Sequence, residues 1–209
     1  DAHNGGGTSP IATTTGLTYT GYASSGIGNA ALVPNAGGED LNRGYTEVNA
    51  NGDAVFFSFL VNVNEAASSK TGDYFIHLGD RVDATTFTNF SARVFARVVS
   101  DNVNFGLSNT STPTYGTTNF AKNTTYLLIV KYVINTSGND EVKLWVVSSG
   151  VPGSEVLAGS PEVTNTSTSG TDVIDAVGIR QGSATNSASV IVDGIRIGTA
   201  WSESPLPVE

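Results

Sequence analysis

Apolar side chains recur at every second position along much of this chain. In residues 54–63, AVFFSFLVNV, the odd-numbered positions from Val55 to Val63 are all apolar and would share one face of an extended strand. Side chains alternate between the two faces of a β-strand, whereas a helix needs a repeat near 3.6. Only residues 64–73 could hold a helical turn, and Gly72 there favours a loop. The pattern therefore predicts an all-β fold, a sandwich of antiparallel sheets.

Two further segments predict a hairpin near the middle of one sheet. Residues 124–134, TTYLLIVKYVI, are apolar on both faces, which is typical of a central strand covered on two sides. Residues 140–147, DEVKLWVV, follow after the turn-forming stretch NTSGN. Residues 172–181 and 189–198 supply two more predicted strands near the carboxyl end.

The length of 209 residues fits one domain of ordinary size. We predict a single domain over residues 1–204 and an exit linker over residues 205–209, PLPVE.

Cysteine is absent, which removes disulfides and thiolate chemistry. Methionine is absent too, so we expect a processed chain or a piece of a longer one. No run approaches the roughly 20 apolar residues of a membrane span.

The charge of the chain argues against nucleic acid as a partner. Charged residues make up only 14% of the chain, and the net charge is -9. The ten basic residues are scattered along the sequence. Because affinity for nucleic acid comes largely from Lys and Arg that neutralise phosphates, this balance predicts no nucleic-acid binding.

Several segments resemble a domain common in large secreted proteins of bacteria that use the type IX secretion system. They are GDYFIHLGD (72–80), ARVFARVVSDNVNFGLS (92–108), TTYLLIVKYVINTSGNDEVKLWV (124–146), IRQGSA (179–184) and VIVDGIRIGTAW (190–201). The resemblance implies a two-sheet antiparallel jelly roll, similar to concanavalin and laminin-G domains, and a secreted, cell-surface location. It implies no catalytic residues. Removal of signal and sorting segments in such proteins would account for the missing methionine.

Motifs of enzyme active sites are absent from the sequence. There is no H-E-x-x-H, G-x-S-x-G or P-loop pattern. The E-x-D-x-x-E spacing of jelly-roll glycoside hydrolases and the R-x-E-x-R run of jelly-roll lyases are missing as well. We therefore predict that the chain has no catalytic residues and is not an enzyme.

One predicted strand face mixes aromatic and polar side chains in a way that suits sugar recognition. Aromatic planes cover the C–H faces of sugars, while Arg, His and Asp bond the hydroxyl groups. Two cations on one face of an acidic protein point to a ligand, although pairing with acids and cover by loops is the alternative. The predicted ligand-binding residues are Asp73, His77, Arg93, Phe95, Arg97 and Trp145, with Phe75 and Lys143 beside them.

Calcium is the metal that the sequence favours. Asn49, Asn51 and Asp53 offer oxygen ligands at alternate positions next to Gly52, which permits a tight turn. Such Asn/Asp stretches also occur in plain turns, so both interpretations stay open.

These observations lead to two main functional hypotheses. The first is a non-catalytic carbohydrate-binding or adhesive module of a secreted bacterial surface protein, with a polysaccharide or cell-surface glycan as partner. The alternative is a structural subunit that self-assembles into a filament or surface layer through strand edges. A passive spacer between other domains is a third possibility.

Overall fold

Two antiparallel β-sheets pack against each other in the computed structural model, which describes residues 2–5, 8–166 and 168–206. Sheet A contains, in spatial order, β1 (Ala2–Asn4), β4 (Asp40–Val48), β14 (Ile174–Arg180), β6 (Lys70–Asp83), β7 (Thr86–Val99), β8 (Asn102–Ser108) and β10 (Phe120–Ala121), and β9 (Thr114–Tyr115) also pairs with β8.

Sheet B lies opposite. Its strands are, in spatial order, β13 (Val163–Asn165), β12 (Glu141–Val147), β11 (Thr125–Val133), β5 (Ala54–Val63), β15 (Val190–Gly198), β3 (Asn29–Val33) and β2 (Ala12–Thr15). Within the described ranges the helical content is one 3-10 turn, Trp201–Glu203. That part of the chain holds no helix of the length and apolarity that a bilayer crossing requires.

The inner faces of the two sheets form the main hydrophobic core. Phe57 and Phe59 of β5 are fully buried there, with ring centroids 5.5 Å apart. They belong to the same apolar cluster as Val94 and Phe105 of sheet A. Full burial of each such side chain contributes about 2–3 kcal/mol. The alternation predicted for residues 54–63 is confirmed, and β5 has the predicted bounds.

The predicted central strand and hairpin are also confirmed. Strand β11 lies between β12 and β5 and pairs antiparallel with both. Leu128 and Val130 face the main core, whereas Leu127 and Ile129 face a second apolar cluster on the outer side of sheet B. A strand buried on both sides needs apolar residues at consecutive positions, which explains the sequence of β11.

Loops of the protein itself cover the outer face of sheet B. Residues 16–28 fold over Phe56 and Leu60 of β5, and the ring of Trp201 lies edge-on to Phe56 at 6.0 Å. The buried members of this second cluster are Leu17, Tyr19, Tyr22, Ala30, Phe56, Leu60, Leu127, Ile129, Trp145 and Trp201. One of the two outer faces of the sandwich is therefore closed.

The carboxyl-terminal segment packs on the sandwich up to the last described residue. Pro205 is buried, and Arg196 donates from Nε to the Ser204 carbonyl at 2.7 Å and from Nη2 to the Leu206 carbonyl at 2.8 Å. Residues 205 and 206 were predicted to begin an exit linker. They are instead packed on the sandwich, because the guanidinium group of Arg196 bonds the carbonyls on either side of Pro205. Residues 207–209 lie outside the described residues.

Consecutive strands often lie in different sheets, as β5 and β6 do, while each sheet is antiparallel throughout. This architecture is the predicted concanavalin-like jelly-roll sandwich.

Candidate functional site

A row of aromatic side chains crosses the outer face of sheet A. Tyr74 of β6 is opposite Phe95 of β7, Phe95 is opposite Gly106 of β8, and Gly106 is opposite Tyr115 of β9. The Tyr74 and Phe95 ring centroids are 5.6 Å apart, and those of Phe95 and Tyr115 are 6.4 Å apart. A Cβ on Gly106 would lie 2.7 Å from Cδ1 of Tyr115, so the absence of a side chain there makes room for the tyrosine ring. Register alone brings these residues together.

Arginine side chains pack against this row at both ends. The guanidinium carbons of Arg93 and Arg180 lie 5.1 Å and 4.2 Å from the Tyr74 ring centroid. That of Arg97 lies 4.2 Å from the Tyr115 centroid. These distances are in the range of cation–π attraction. The set Tyr74, Arg93, Phe95, Arg97, Tyr115 and Arg180 is called the arginine–aromatic strip below.

Hydrogen bonds through Nε hold the two arginines of β7. Arg93 Nε donates to the Phe90 carbonyl at 3.2 Å, and Arg97 Nε donates to Asn104 Oδ1 at 3.1 Å. Asn104 in turn donates to the Thr118 carbonyl at 2.8 Å, which fixes its amide. In the described part of the chain, no carboxylate oxygen lies within 4.0 Å of a nitrogen of Arg93 or Arg97.

Asp73 is engaged within the protein. It forms an ion pair with Arg180 at 3.0 Å, its Oδ1 accepts from the Tyr74 N–H at 2.9 Å, and its Oδ2 lies 3.4 Å from Ser187 Oγ. Only 19% of the Asp73 side chain is exposed. The structure places this predicted ligand-binding residue beside the strip, where it positions Arg180.

Tyr74, Tyr115 and Arg93 keep their ordinary charge states at neutral pH. Burial raises the pKa of Tyr115 to about 12, and burial also raises the pKa of Tyr74 against the opposing effect of the nearby arginines. Both phenols are therefore protonated and can donate as well as accept. Burial lowers the pKa of Arg93, and the positive charge of Arg180 lowers it further. A guanidinium starts from so high a value that it stays charged.

His77 shares the outer face of sheet A but is fully buried. The rings of Phe87 and Phe90 lie edge-to-face against the imidazole, with centroids at 4.8 Å and 4.7 Å, and the Tyr74 ring lies at 5.7 Å. Beneath it, a Cβ on Gly178 would come within 2.6 Å of the imidazole ring. The prediction that His77 contacts a ligand is corrected by this enclosure, because a sugar cannot reach the ring.

A β-bulge explains why sequence analysis missed the enclosure of His77. Phe87 and Phe90 are three positions apart, so regular alternation would place them on opposite faces of β7. Between Thr88 and Ser91, strand β7 contains one more residue than the paired stretch of β6. Within this bulge, Asn89 adopts a left-handed conformation with φ 51°. The extra residue brings both rings to the same side, where they stack at 5.4 Å.

Two aromatic residues from the predicted face lie elsewhere. A bulge between Tyr74 and Ile76 turns Phe75 inward, where it packs edge-on against Phe59 at 6.1 Å. Trp145 belongs to β12 of sheet B, is 3% exposed, and donates from Nε1 to the Gly159 carbonyl at 2.9 Å. Its predicted place beside Arg93 and Arg97 is therefore wrong. Lys143 is also on β12, where it pairs with Glu141 at 2.8 Å.

The predicted calcium ligands form a turn between β4 and β5. Asn51 Oδ1 accepts from the Thr136 N–H at 3.0 Å and lies 3.2 Å from Thr136 Oγ1, and Asn49 donates to Glu47. The Asp53 N–H donates to the Ala50 carbonyl at 3.0 Å. These contacts tie the turn to the β11–β12 loop. In residues 2–5, 8–166 and 168–206, no three His, Cys, Asp or Glu side chains are grouped as a metal site. Calcium binding stays a prediction.

Sequence analysis placed Arg93, Phe95 and Arg97 on one face and missed their partners. Phe95 is only 3% exposed and lies between the rings of Tyr74 and Tyr115, so the prediction that it contacts a ligand is corrected: it supports those two rings. Tyr74 precedes the bulge in β6, Tyr115 lies on a two-residue strand, and Arg180 ends β14. The available signal was the run of turn residues around Tyr115, which could return a short strand to β8. The registers of β14 and β9 could not be read from a single sequence.

No family model matches this chain, and no curated protein matches it. Solved structures are similar in fold. A variant of the alginate lyase Aly36B in complex with an alginate tetrasaccharide is 11% identical, with a TM-score of 0.52 over 99% of this chain and 98% of that one. Another structure of alginate lyase Aly36B is 12% identical, with a TM-score of 0.50 over 88% and 92%. A legume lectin-like domain from Entamoeba histolytica is 13% identical, with a TM-score of 0.46 over 86% and 88%. At 11% and 12% identity, the similarity to the two alginate lyase structures shows the fold alone.

The similarity to an alginate lyase overturns the prediction that this chain is not an enzyme. The prediction depended on contiguous motifs, and the fold is one that a polysaccharide lyase shares over almost the whole chain. On a sheet, neighbouring residues come from different strands, as Tyr74, Phe95 and Tyr115 do here. Missing contiguous motifs therefore give no ground for excluding catalysis on this fold.

Proposed function

We propose that this chain recognises polysaccharides through the arginine–aromatic strip. The observation that carries the proposal is the packing of Arg93, Arg97 and Arg180 against tyrosine rings on the outer face of sheet A, while loops close the outer face of sheet B. The half-buried rings of Tyr74 and Tyr115 offer apolar surface to the C–H face of a sugar, and the guanidinium groups offer fixed donors to its oxygens.

The size of the strip suits a chain of sugars. Arg93 and Arg97 are four residues apart on a regular stretch of β7, which places their Cα atoms about 13 Å apart. Across the strands, the Tyr74 and Phe95 ring centroids are 5.6 Å apart and those of Phe95 and Tyr115 are 6.4 Å apart, so the row extends up to about 12 Å. Both lengths exceed one pyranose ring. The fold shared with an alginate lyase that was determined with an alginate tetrasaccharide supports the same class of ligand.

We place this recognition outside the cell, in an adhesive or attachment domain of a secreted bacterial surface protein. The resemblance to domains of type IX-secreted proteins supports this context. Self-assembly stays a prediction, and the sheet edges do not favour it. Among the described residues, four of the five outermost strands have two or three residues, and short edge strands hinder pairing between molecules.

Affinity electrophoresis against a panel of soluble polysaccharides tests the proposal. We expect retardation of the wild-type chain by at least one polysaccharide, and a loss of at least about fivefold in affinity for Tyr115→Ala. Tyr115→Phe keeps the ring and should keep most of the binding. Lys143→Gln, on sheet B, is the control. Equal binding by wild type and Tyr115→Ala, with both folded by circular dichroism, would contradict the assignment.

A further inference from the structure

We infer that the strip selects polysaccharides that carry oxyanions, which are carboxylates or sulfates. The inference rests on the proposed function and names its ligand class. It starts from an imbalance: the chain has a net charge of -9, yet Arg93 and Arg97 lie on one row without an ion-pair partner among the described residues, beside Arg180, which pairs with Asp73. A neutral glycan would need no such concentration of positive charge.

The donors of Arg93 and Arg97 are only partly used within the protein. Each is held by its Nε hydrogen bond and by an aromatic ring. No acceptor for their Nη atoms occurs among residues 2–5, 8–166 and 168–206. A guanidinium carries its N–H groups in a rigid fork that matches the two oxygens of a carboxylate or sulfate. The two arginines are therefore oriented receptors whose outer N–H groups are left for a ligand.

Two guanidinium groups and two carboxylates lie at the Tyr74 end of the strip. Arg93 and Arg180 lie against the same Tyr74 ring, and their mutual repulsion contributes to the lowered pKa of Arg93. Asp73 forms an ion pair with Arg180 at 3.0 Å, and the carboxylate of Asp40 also interacts electrostatically with Arg180. Among the described residues, Arg93 on Tyr74 and Arg97 on Tyr115 have no ion-pair partner, and each marks one oxyanion subsite.

Two subsites along β7 explain why the ligand is a polyanion. An exposed single arginine binds one oxyanion weakly in water because solvent and salt screen the charge. Two subsites on one strand, built on residues whose Cα atoms are about 13 Å apart, bind two charges of the same polysaccharide chain together. Affinity should therefore depend on repeated charges along the polymer, and a monosaccharide uronate should bind far more weakly than its polymer.

Titration calorimetry on the full chain tests this inference with alginate and polyglucuronate as carboxylated polymers, dextran sulfate as a sulfated one, and dextran as a neutral one. We expect the anionic polymers to bind at least tenfold more tightly than dextran, and Arg93→Ala and Arg97→Ala each to weaken that binding about tenfold. The variants Arg93→Lys and Arg97→Lys should recover only part of it, because ammonium lacks the planar fork. Lys143→Gln removes one positive charge from sheet B and should leave affinity unchanged.

The outcomes separate the inference from the proposed function. Preference for carboxylates over sulfates, or the reverse, identifies the source of the oxyanion. Equal binding of dextran and the anionic polymers, lost in Tyr115→Ala, would overturn the inference and keep the proposed function. Anionic binding that falls equally in Lys143→Gln and Arg97→Ala would show attraction by overall charge and overturn the inference. No binding to any polymer would overturn both.

Discussion

The guanidinium carbon of Arg97 lies 4.2 Å from the centroid of the Tyr115 ring, although 18 positions separate them in the sequence. The contact exists because β9 returns Tyr115 to the edge of β8, directly opposite Gly106. Gly106 therefore positions the Tyr115 ring by leaving room for it, and we expect no contact between Gly106 and the ligand.

Gly106→Ala should loosen the Tyr115 ring and weaken polysaccharide binding severalfold. The new Cβ would lie 2.7 Å from Tyr115 Cδ1 and 3.0 Å from the Thr114 carbonyl, so the ring and the short strand have to shift. We expect a loss of about 1–3 kcal/mol in the free energy of unfolding. Gly5→Ala is the control, because a Cβ there meets nothing within 4 Å. Undiminished binding by a folded Gly106→Ala variant would contradict this role.

His77→Ala should destabilise the protein without changing ligand affinity per folded molecule. The imidazole is fully buried between Phe87, Phe90 and Tyr74, so its removal leaves a cavity worth about 2–4 kcal/mol. Gly178→Ala, which would press a methyl group against the same ring, should destabilise by about 1–3 kcal/mol. Urea unfolding measures both. If His77→Ala were as stable as wild type but bound polysaccharide poorly, His77 would contact the ligand after all, and the structural role assigned to it here would be wrong.

Glu65 should make stability fall at acid pH. Burial acts to raise the pKa of this carboxyl, but hydrogen bonds from the Ala67 and Ser189 N–H groups and from Asn35 outweigh burial and lower it. A carboxyl whose pKa is lower in the folded state contributes stability above its unfolded pKa, about 4.3, and loses that contribution as the pH falls through the folded pKa. Urea unfolding at pH 7 and pH 3 should show a smaller difference for Glu65→Gln than for wild type. An identical difference would show that Glu65 does not contribute.

Asn51→Ala should lower stability whether or not calcium is present. The side chain accepts from the Thr136 N–H and so ties the turn after β4 to the β11–β12 loop. Loss of this bond costs about 1 kcal/mol. Thermal unfolding in EDTA and in millimolar calcium should give the same difference between variant and wild type. A rise in wild-type Tm with calcium that Asn51→Ala abolishes would instead support the predicted calcium site.

Most of the fold could be predicted from the sequence, because the alternation of apolar and polar residues that marks a β-strand can be recognised in a short stretch of residues. Strand β5 and the β11–β12 hairpin could be read from consecutive residues, since apolar faces and a turn sequence specify them. The two-sheet arrangement followed from the same pattern. Neither the cover on sheet B nor the packing of Pro205 could be read this way, because a period of two does not report which strands residues 16–28 cover or which carbonyls Arg196 bonds.

The candidate site could be predicted only in part, and the bulges are the reason. Arg93, Phe95 and Arg97 share a face on a regular stretch, so alternation placed them correctly. Around them, the pairing of β6 with β7 shifts register several times. These shifts turn Phe75 into the core and bring Phe87 and Phe90 together over His77, which buries the imidazole. A slip of one residue exchanges the two faces of a strand, and no short sequence signal reports it.

The most direct test of the oxyanion-binding strip is to map a short alginate oligosaccharide onto the isotopically labelled chain by NMR. The account predicts shifts in the Nε–H signals of Arg93 and Arg97 and in the ring signals of Tyr74 and Tyr115. The indole N–H signals of Trp145 and Trp201 on sheet B, held by the Gly159 and Pro152 carbonyls, should not move. Shifts confined to the indoles, with the arginine signals unchanged, would contradict the account.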